Sequence, residues 1–139
     1  MERIAQCQCS QLRAVAMGEP DAVNMCHCGE CQRRTGAVFG SGAYYKKSEV
    51  RIEGPSKLYI RDGQEGRKVR IRFCPNCGSS VYWEADLRPA HYGIAVGAFA
   101  DPGFPPPSAS VWEQSMHSWV VAPSEAQHYS QGRQSAASG

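Results

Sequence analysis

Seven cysteines stand in three tight groups along the chain: Cys7-x-Cys9, Cys26-x-Cys28-x-x-Cys31 and Cys74-x-x-Cys77. Cysteines that close in sequence cannot readily bridge one another, but they can converge on a metal ion. In an extended segment, residues i and i+2 point the same way, so a Cys-x-Cys presents both sulfurs to one side. In a Cys-x-x-Cys the chain curls until both sulfurs reach one ion. Gly29 and Gly78 offer the positive-φ freedom that such knuckles use, and Pro75 stiffens the last of them. The count is odd, so a disulfide framework would leave one thiol over. The N-terminus carries no apolar stretch of the kind an export signal needs, so a reducing, cytoplasmic setting is expected, where structural disulfides are rare.

All-thiolate ligation favours zinc, with an iron–sulfur cluster as the poorer fit. Four cysteines close a structural tetrahedral site, and the remaining three leave one coordination position open. The division therefore reads as one structural zinc and one reactive zinc. A single zinc with spare thiols, or a redox-active Cys-x-x-Cys, are the alternatives. Spacing does not say which groups share an ion.

The rest of the chain points to short strands. Its 139 residues suit one domain. The 15 Lys+Arg against 13 Asp+Glu are too small an excess to argue for nucleic acid or an anionic membrane. No apolar run approaches the ~20 residues of a membrane span. Residues 67–73 alternate Val69, Ile71 and Phe73 with Lys68, Arg70 and Arg72, the pattern of a half-buried strand. The basic face is a solvated stripe or a lure for an acidic ligand. Further strands are expected around 12–17, 22–25, 37–45, 50–52, 58–60, 81–84 and 92–99. In the last of these, Gly93, Ala95 and Gly97 make a small-residue face that permits close packing. One helical turn over 30–34 ends at Gly36, and the prolines of 100–108 make a loop. Residues 1–123 are expected to form a single antiparallel β domain pinned by metal. Residues 124–139, mostly Ser, Ala, Gln and Gly, form a frayed tail.

The run Cys26-His27-Cys28-Gly29-Glu30-Cys31-Gln32-Arg33-Arg34-Thr35-Gly36 is preceded by Cys7-Gln8-Cys9 and followed by Phe73-Cys74-Pro75-Asn76-Cys77-Gly78-Ser79. In this combination the chain resembles the glutathione-dependent formaldehyde-activating enzyme family from about residue 6 to Trp119. The resemblance implies a β-tent of antiparallel sheets with two zinc sites. Cys7, Cys9, Cys74 and Cys77 match the structural four-thiolate zinc. Cys26, Cys28 and Cys31 match the second zinc, where chemistry is proposed and occupancy can be partial. It also implies a carbon–sulfur lyase reaction run in the synthetic direction, joining glutathione and formaldehyde into S-(hydroxymethyl)glutathione. The substrate is then a small molecule, with glutathione the nearest named partner. The competing reading is a non-catalytic, zinc-stabilised β module that binds a macromolecule. Methionine sulfoxide reduction would need a reactive cysteine beyond the metal ligands.

Arg33 and Arg34 are either solvated surface arginines or placed so that one offsets the anionic thiolates or grips a substrate carboxylate, with Arg33 the catalytic candidate. Glu30 reads as an exposed turn carboxylate rather than a general base. His27 lies between two ligands and points away from them in an extended segment, as a bystander or a hydrogen-bond donor to the site. His91, His117 and His128 have no metal-type partners in sequence. Tyr44, Tyr45, Trp83, Tyr92, Phe99, Trp112 and Trp119 read as core aromatics, one or two of which line a pocket.

Overall fold

Alternation with a period of two shapes most of this chain. A computed structural model describes residues 1–133, leaving Gln134 to Gly139 of the expected tail outside the described residues. The chain forms two compact units, Met1–Asp21 with Ala43–Phe104, and Ala22–Gly42 with the chain from Pro105 onward.

In the first unit, β1 (Glu2–Gln6), β2 (Arg13–Met17) and β5 (Val50–Glu53) form an antiparallel sheet in the order β1-β2-β5. Ala5, Ala14 and Ala16 are fully buried, and their small size lets neighbouring layers approach the central strand closely. A second antiparallel series runs through β6 (Lys57–Asp62), β7 (Lys68–Phe73), β8 (Ser80–Ala85) and β9 (His91–Ala95). The β6–β7 hairpin turns where Asp62-Gly63 and Glu65-Gly66 predict it, with Gly63 N–H bonded to Arg67 O. Ile71 is buried on the apolar face of β7. On the other face Lys68 pairs with Asp62, and Arg70 reaches Asp86 at 2.7 Å. Two cations of the basic stripe are thus engaged by local carboxylates. The register shifts between Arg72 and Phe73, which face Tyr82 and Ser80, so that β8 carries an extra residue at Val81, opposite the end of β7. Such an extra residue bends a strand and re-aims the side chains beyond it.

The small face of β9 has a direct use. Gly93 lies opposite Trp83, and a Cβ there would fall 2.1 Å from the Trp83 Nε1. The strand expected over 92–99 is shorter, because Val96–Phe99 tighten into a 3-10 turn that ends at Ala100 with φ 48°.

The second unit holds β3 (Ala22–Cys26), the helix α1 (Gly29–Thr35), β10 (Ala109–Val111) and β11 (Gln127–His128). Strand β4 (Gly40–Lys46) starts in this unit and ends in the first. The mainly β, largely antiparallel architecture is as expected, with one local addition: β10 pairs in parallel with both β3 and β11. Parallel partners so far apart in sequence need no hairpin, so they leave no local turn signal. Of the expected tail, residues 124–133 carry β11, and Gln127 N–H and Tyr129 N–H bond to Ser108 O and Ser110 O at 2.9 Å. The aromatic expectation is met for buried Tyr45, Trp83 and Phe99. It fails for Trp119, whose ring is 70% exposed in a loop that contains no strand or helix. No helix of the described residues is long and apolar enough to cross a membrane.

Replacing Gly93 by Ala forces the Trp83 indole or the β8–β9 pairing to move. Overpacking of this kind costs ~1–3 kcal/mol. The expected outcome in urea unfolding is a lower midpoint for Gly93→Ala with an unchanged slope.

Candidate metal centres

Both cysteine groups converge. Cys7 follows β1, and a tight turn returns the chain, with Ser10 N–H on Cys7 O at 3.0 Å and Cys7 N–H on Leu12 O at 2.9 Å. Cys74 follows the end of β7 and opens a second knuckle, closed by Gly78 N–H on Cys74 O at 2.9 Å. Gly78 holds φ 80°, the left-handed conformation that the sequence suggests for it. The two knuckles are tied together by Gln8 N–H on Ser79 Oγ at 3.1 Å.

The four sulfurs of Cys7, Cys9, Cys74 and Cys77 lie within 4.8 Å of one another. Cys7 Sγ and Cys9 Sγ are 3.7 Å apart, and Cys9 Sγ and Cys74 Sγ 3.6 Å. A disulfide needs about 2.05 Å, and all seven cysteines are free thiols. A tetrahedron with Zn–S of about 2.3 Å has an S···S edge of about 3.8 Å. The observed spacings match that edge. Backbone donors surround the sulfurs: Leu12 N–H reaches Cys7 Sγ at 3.2 Å, and Asn76 N–H and Cys77 N–H reach Cys74 Sγ at 3.4 and 3.5 Å. The Ser79 hydroxyl and backbone hydrogen bonds stabilise the Cys77 thiolate, bringing its pKa down to about 5. Hydrogen bonds from the Asn76 side chain and the Gln11 backbone lower that of Cys9. At Cys74 the Cys77 amide also favours the thiolate, but burial and the neighbouring sulfurs outweigh it and the thiol is raised. A cavity of about 440 Å³ opens beside this group, lined by uncharged residues including Gln6, Gln8, Ser79 and Ser80.

The second group is built differently. Cys26 ends β3, and Cys28 caps the N-terminus of α1, its sulfur accepting from Cys31 N–H at 3.3 Å. Cys31 sits in the first turn, and Gly36 ends the helix in the left-handed region, as expected. Gly29, read as a positive-φ residue, instead begins α1. The sulfurs of Cys26, Cys28 and Cys31 lie within 4.8 Å of one another, all half-buried. Among the described residues no histidine, aspartate, glutamate or further cysteine completes the group. The crowding is costly for negative charge. Hydrogen bonding to Cys28 and Cys31, together with burial, pushes the Cys26 thiol far up. At Cys31 the bond with Cys26 favours the thiolate, yet Cys28 and burial override it and the thiol is raised. Such a donor set is neutralised by a divalent cation, and both groups can hold one.

Around the three thiols, Arg33 is 81% exposed and turns back toward Glu30, 3.7 Å away. Glu30 is itself exposed, as expected. Arg34 is the cation that acts on Cys31, favouring its thiolate. His27 is fully buried and outside the sulfur group; its Nε2 lies 2.8 Å from Ser110 Oγ, and burial pushes its pKa down. The sequence reading gave no role to Gln32, Ser110, Glu113 or Ser115. Gln32 Nε2 donates to His27 O at 2.9 Å and Ser115 O at 3.3 Å, and Ser115 Oγ donates to His27 O at 2.9 Å. His117 Nε2 lies 2.9 Å from Gln32 Oε1, and His91 Nε2 2.8 Å from Asp21. Most of these partners lie 70 or more positions apart and leave no spacing signal, so the structure reveals them.

A β protein with two thiol groups of unequal size is thereby defined. A model of the family described as glutathione-dependent formaldehyde-activating enzyme matches residues 2–115. The chain belongs to that family. No curated protein matches it. Among solved structures, a crystal structure of a Rhodobacter sphaeroides protein is similar in fold. It shares 22% sequence identity, with a TM-score of 0.52 over 74% of this chain and 91% of that one.

Protons and metal compete for thiolates, so the group whose thiols resist ionisation releases its metal at the higher pH. Acidifying the zinc-loaded chain in the presence of a chromophoric chelator is expected to free metal in two steps. The first step comes from Cys26, Cys28 and Cys31. The second, at lower pH, comes from the group containing Cys77 and Cys9, whose thiols are already lowered. Cys77→Ser is expected to bring the second step up toward the first.

Proposed function

We propose that this chain is a zinc-dependent enzyme of carbon–sulfur lyase type acting on a thiol–aldehyde adduct, with glutathione and formaldehyde or close analogues as its substrates. One observation carries the reading. Three convergent, half-buried thiols form a group that no described residue completes, in a chain of the glutathione-dependent formaldehyde-activating enzyme family. Cys7, Cys9, Cys74 and Cys77 would hold a structural zinc, and Cys26, Cys28 and Cys31 a second one. The metal's contribution is to keep the sulfur of an incoming thiol deprotonated at neutral pH, since coordinated thiols lose their proton. The thiolate sulfur adds to the carbonyl carbon, a carbon–sulfur bond forms, and the former carbonyl oxygen takes up a proton from solvent. The chain supplies position. Cys26, Cys28 and Cys31 bring the reactants together, and Arg34 offsets their negative charge. Arg33, exposed and 3.7 Å from Glu30, would exchange that partner for a substrate carboxylate. Seven free thiols suit a reducing compartment such as the cytoplasm.

The alternative, a non-catalytic module, calls for a second site closed by a fourth protein ligand. Among the described residues, no fourth His, Cys, Asp or Glu joins the group of three, which supports the enzyme reading.

Cys28→Ser tests the reading with little risk to the fold, because serine is a strong N-cap and can accept from Cys31 N–H in place of the sulfur. Formation of S-(hydroxymethyl)glutathione, followed by NMR, is expected to fall to the uncatalysed rate while the unfolding midpoint is retained. Turnover equal to the parent would reject the catalytic site. Cys74→Ser is expected instead to leave the chain largely unfolded, read by circular dichroism.

A further inference from the structure

Residues beyond the family match tie back to the chain around Glu113. The match ends at residue 115, and the described chain continues to residue 133. Its backbone is laced to the segment after β10: Trp112 N–H donates to Gln131 O at 2.8 Å, Glu113 N–H to Tyr129 O at 3.0 Å, and Gln114 N–H to Ser130 O at 3.1 Å. His128 lies opposite Ser110 in the parallel ladder.

The side chains form one continuous path. His128 Nδ1 is 2.6 Å from Glu113 Oε2, the Ser110 hydroxyl bonds to the Glu113 carboxylate, and Ser110 Oγ is 2.8 Å from His27 Nε2. Burial alone would raise the Glu113 carboxyl, but bonds from Ser110 and His128 outweigh it and hold it below its usual range. A carboxylate oxygen accepts hydrogen bonds, so His128 and Ser110 both donate to Glu113. His128 carries its proton on Nδ1. Ser110 has one proton and gives it to Glu113, so its oxygen must accept from His27 Nε2–H. His27 thereby donates through Nε2, in the turn between Cys26 and Cys28. Its Nδ1 is buried with no hydrogen-bond partner among the described residues, so the ring is oriented through Nε2.

We infer that His128 is a positioning residue for the three-thiol group, acting through Glu113, Ser110 and His27 to hold the loop in which Cys26, Cys28 and Cys31 converge. The inference rests on the reading of those cysteines as a second metal site. Residues that orient metal ligands from behind typically govern metal affinity by about 10–100-fold.

The test uses the full-length chain and zinc. Affinities are measured by competition with a chromophoric chelator, the weaker equivalent being assigned as the one lost in Cys28→Ser. His128→Ala is expected to weaken that equivalent by about tenfold or more and leave the other unchanged. His128→Asn, whose amide can still donate to Glu113, is expected to restore it. In a Ser110→Ala background, His128→Ala is expected to add no further loss, since the path is already broken. Equal weakening of both equivalents, no weakening, or losses that add in the double variant would overturn the inference. Should the parent chain hold only one zinc, the two-site reading fails by itself. Amide exchange of the Cys31 and Gln32 N–H groups in the chain as purified then decides the positioning role. Faster exchange in His128→Ala, reversed in His128→Asn, supports it, and unchanged exchange overturns it.

Discussion

Sulfur atoms held 3.6–3.7 Å apart repel one another strongly once ionised. At an effective dielectric constant of about 20, each such pair of thiolates costs about 4 kcal/mol. The sulfurs of Cys26, Cys28 and Cys31, all within 4.8 Å of one another, add three further repelling pairs when ionised. The raised thiols of Cys26 and Cys31 express that cost. A bound divalent cation reverses the sign of the whole interaction. The same convergence closes long loops, since Cys9 and Cys74 meet across 65 positions. Closing such a loop costs about 4 kcal/mol plus a constant, whereas structural zinc in small peptides contributes about 10–16 kcal/mol. On the zinc reading, the strands around Cys7 and Cys74 need little additional core, consistent with the small alanines buried in β1 and β2.

The two thiol groups differ in how the backbone treats them. Amides and the Ser79 hydroxyl point at the sulfurs of the four-thiol group and carry part of its negative charge before any metal binds. In the three-thiol group the Cys31 amide reaches Cys28 Sγ at 3.3 Å, while Cys26 and Cys31 are both raised by their neighbouring sulfurs and by burial. The first arrangement suits permanence. The second, with three sulfurs rather than four, suits a site that exchanges ligands.

How far an interaction reaches along the chain decided whether the sequence revealed it. The cysteine knuckles, the β6–β7 hairpin and the helical turn ending at Gly36 are set by residues a few positions apart, and each left a readable pattern. The small face around Gly93 was equally legible, although its partner Trp83 was not. The parallel pairing of β3 with β10 was hidden, because neither strand neighbours the other in sequence and no turn connects them. Strand β1 was missed for another reason: only Ala5 of Glu2–Gln6 is buried, so its alternation barely registers. Trp119 misled because an aromatic usually signals burial, and composition says nothing about which face a loop turns outward.

The buried path from His27 to His128 shows why chemistry-bearing residues can escape a motif. Each member alone is ordinary: a serine in a short strand, a glutamate in a turn, a histidine near the end of the described chain. Their meaning comes from the carboxylate of Glu113, the one group on the path that can only accept. It receives from Ser110 and His128, and Ser110 in turn accepts from His27 Nε2, two bonds away. An amide or a hydroxyl in its place could both donate and accept, and the imidazole could then turn. A loop whose sulfurs must meet within a few tenths of an ångström gains from an anchor that allows one arrangement.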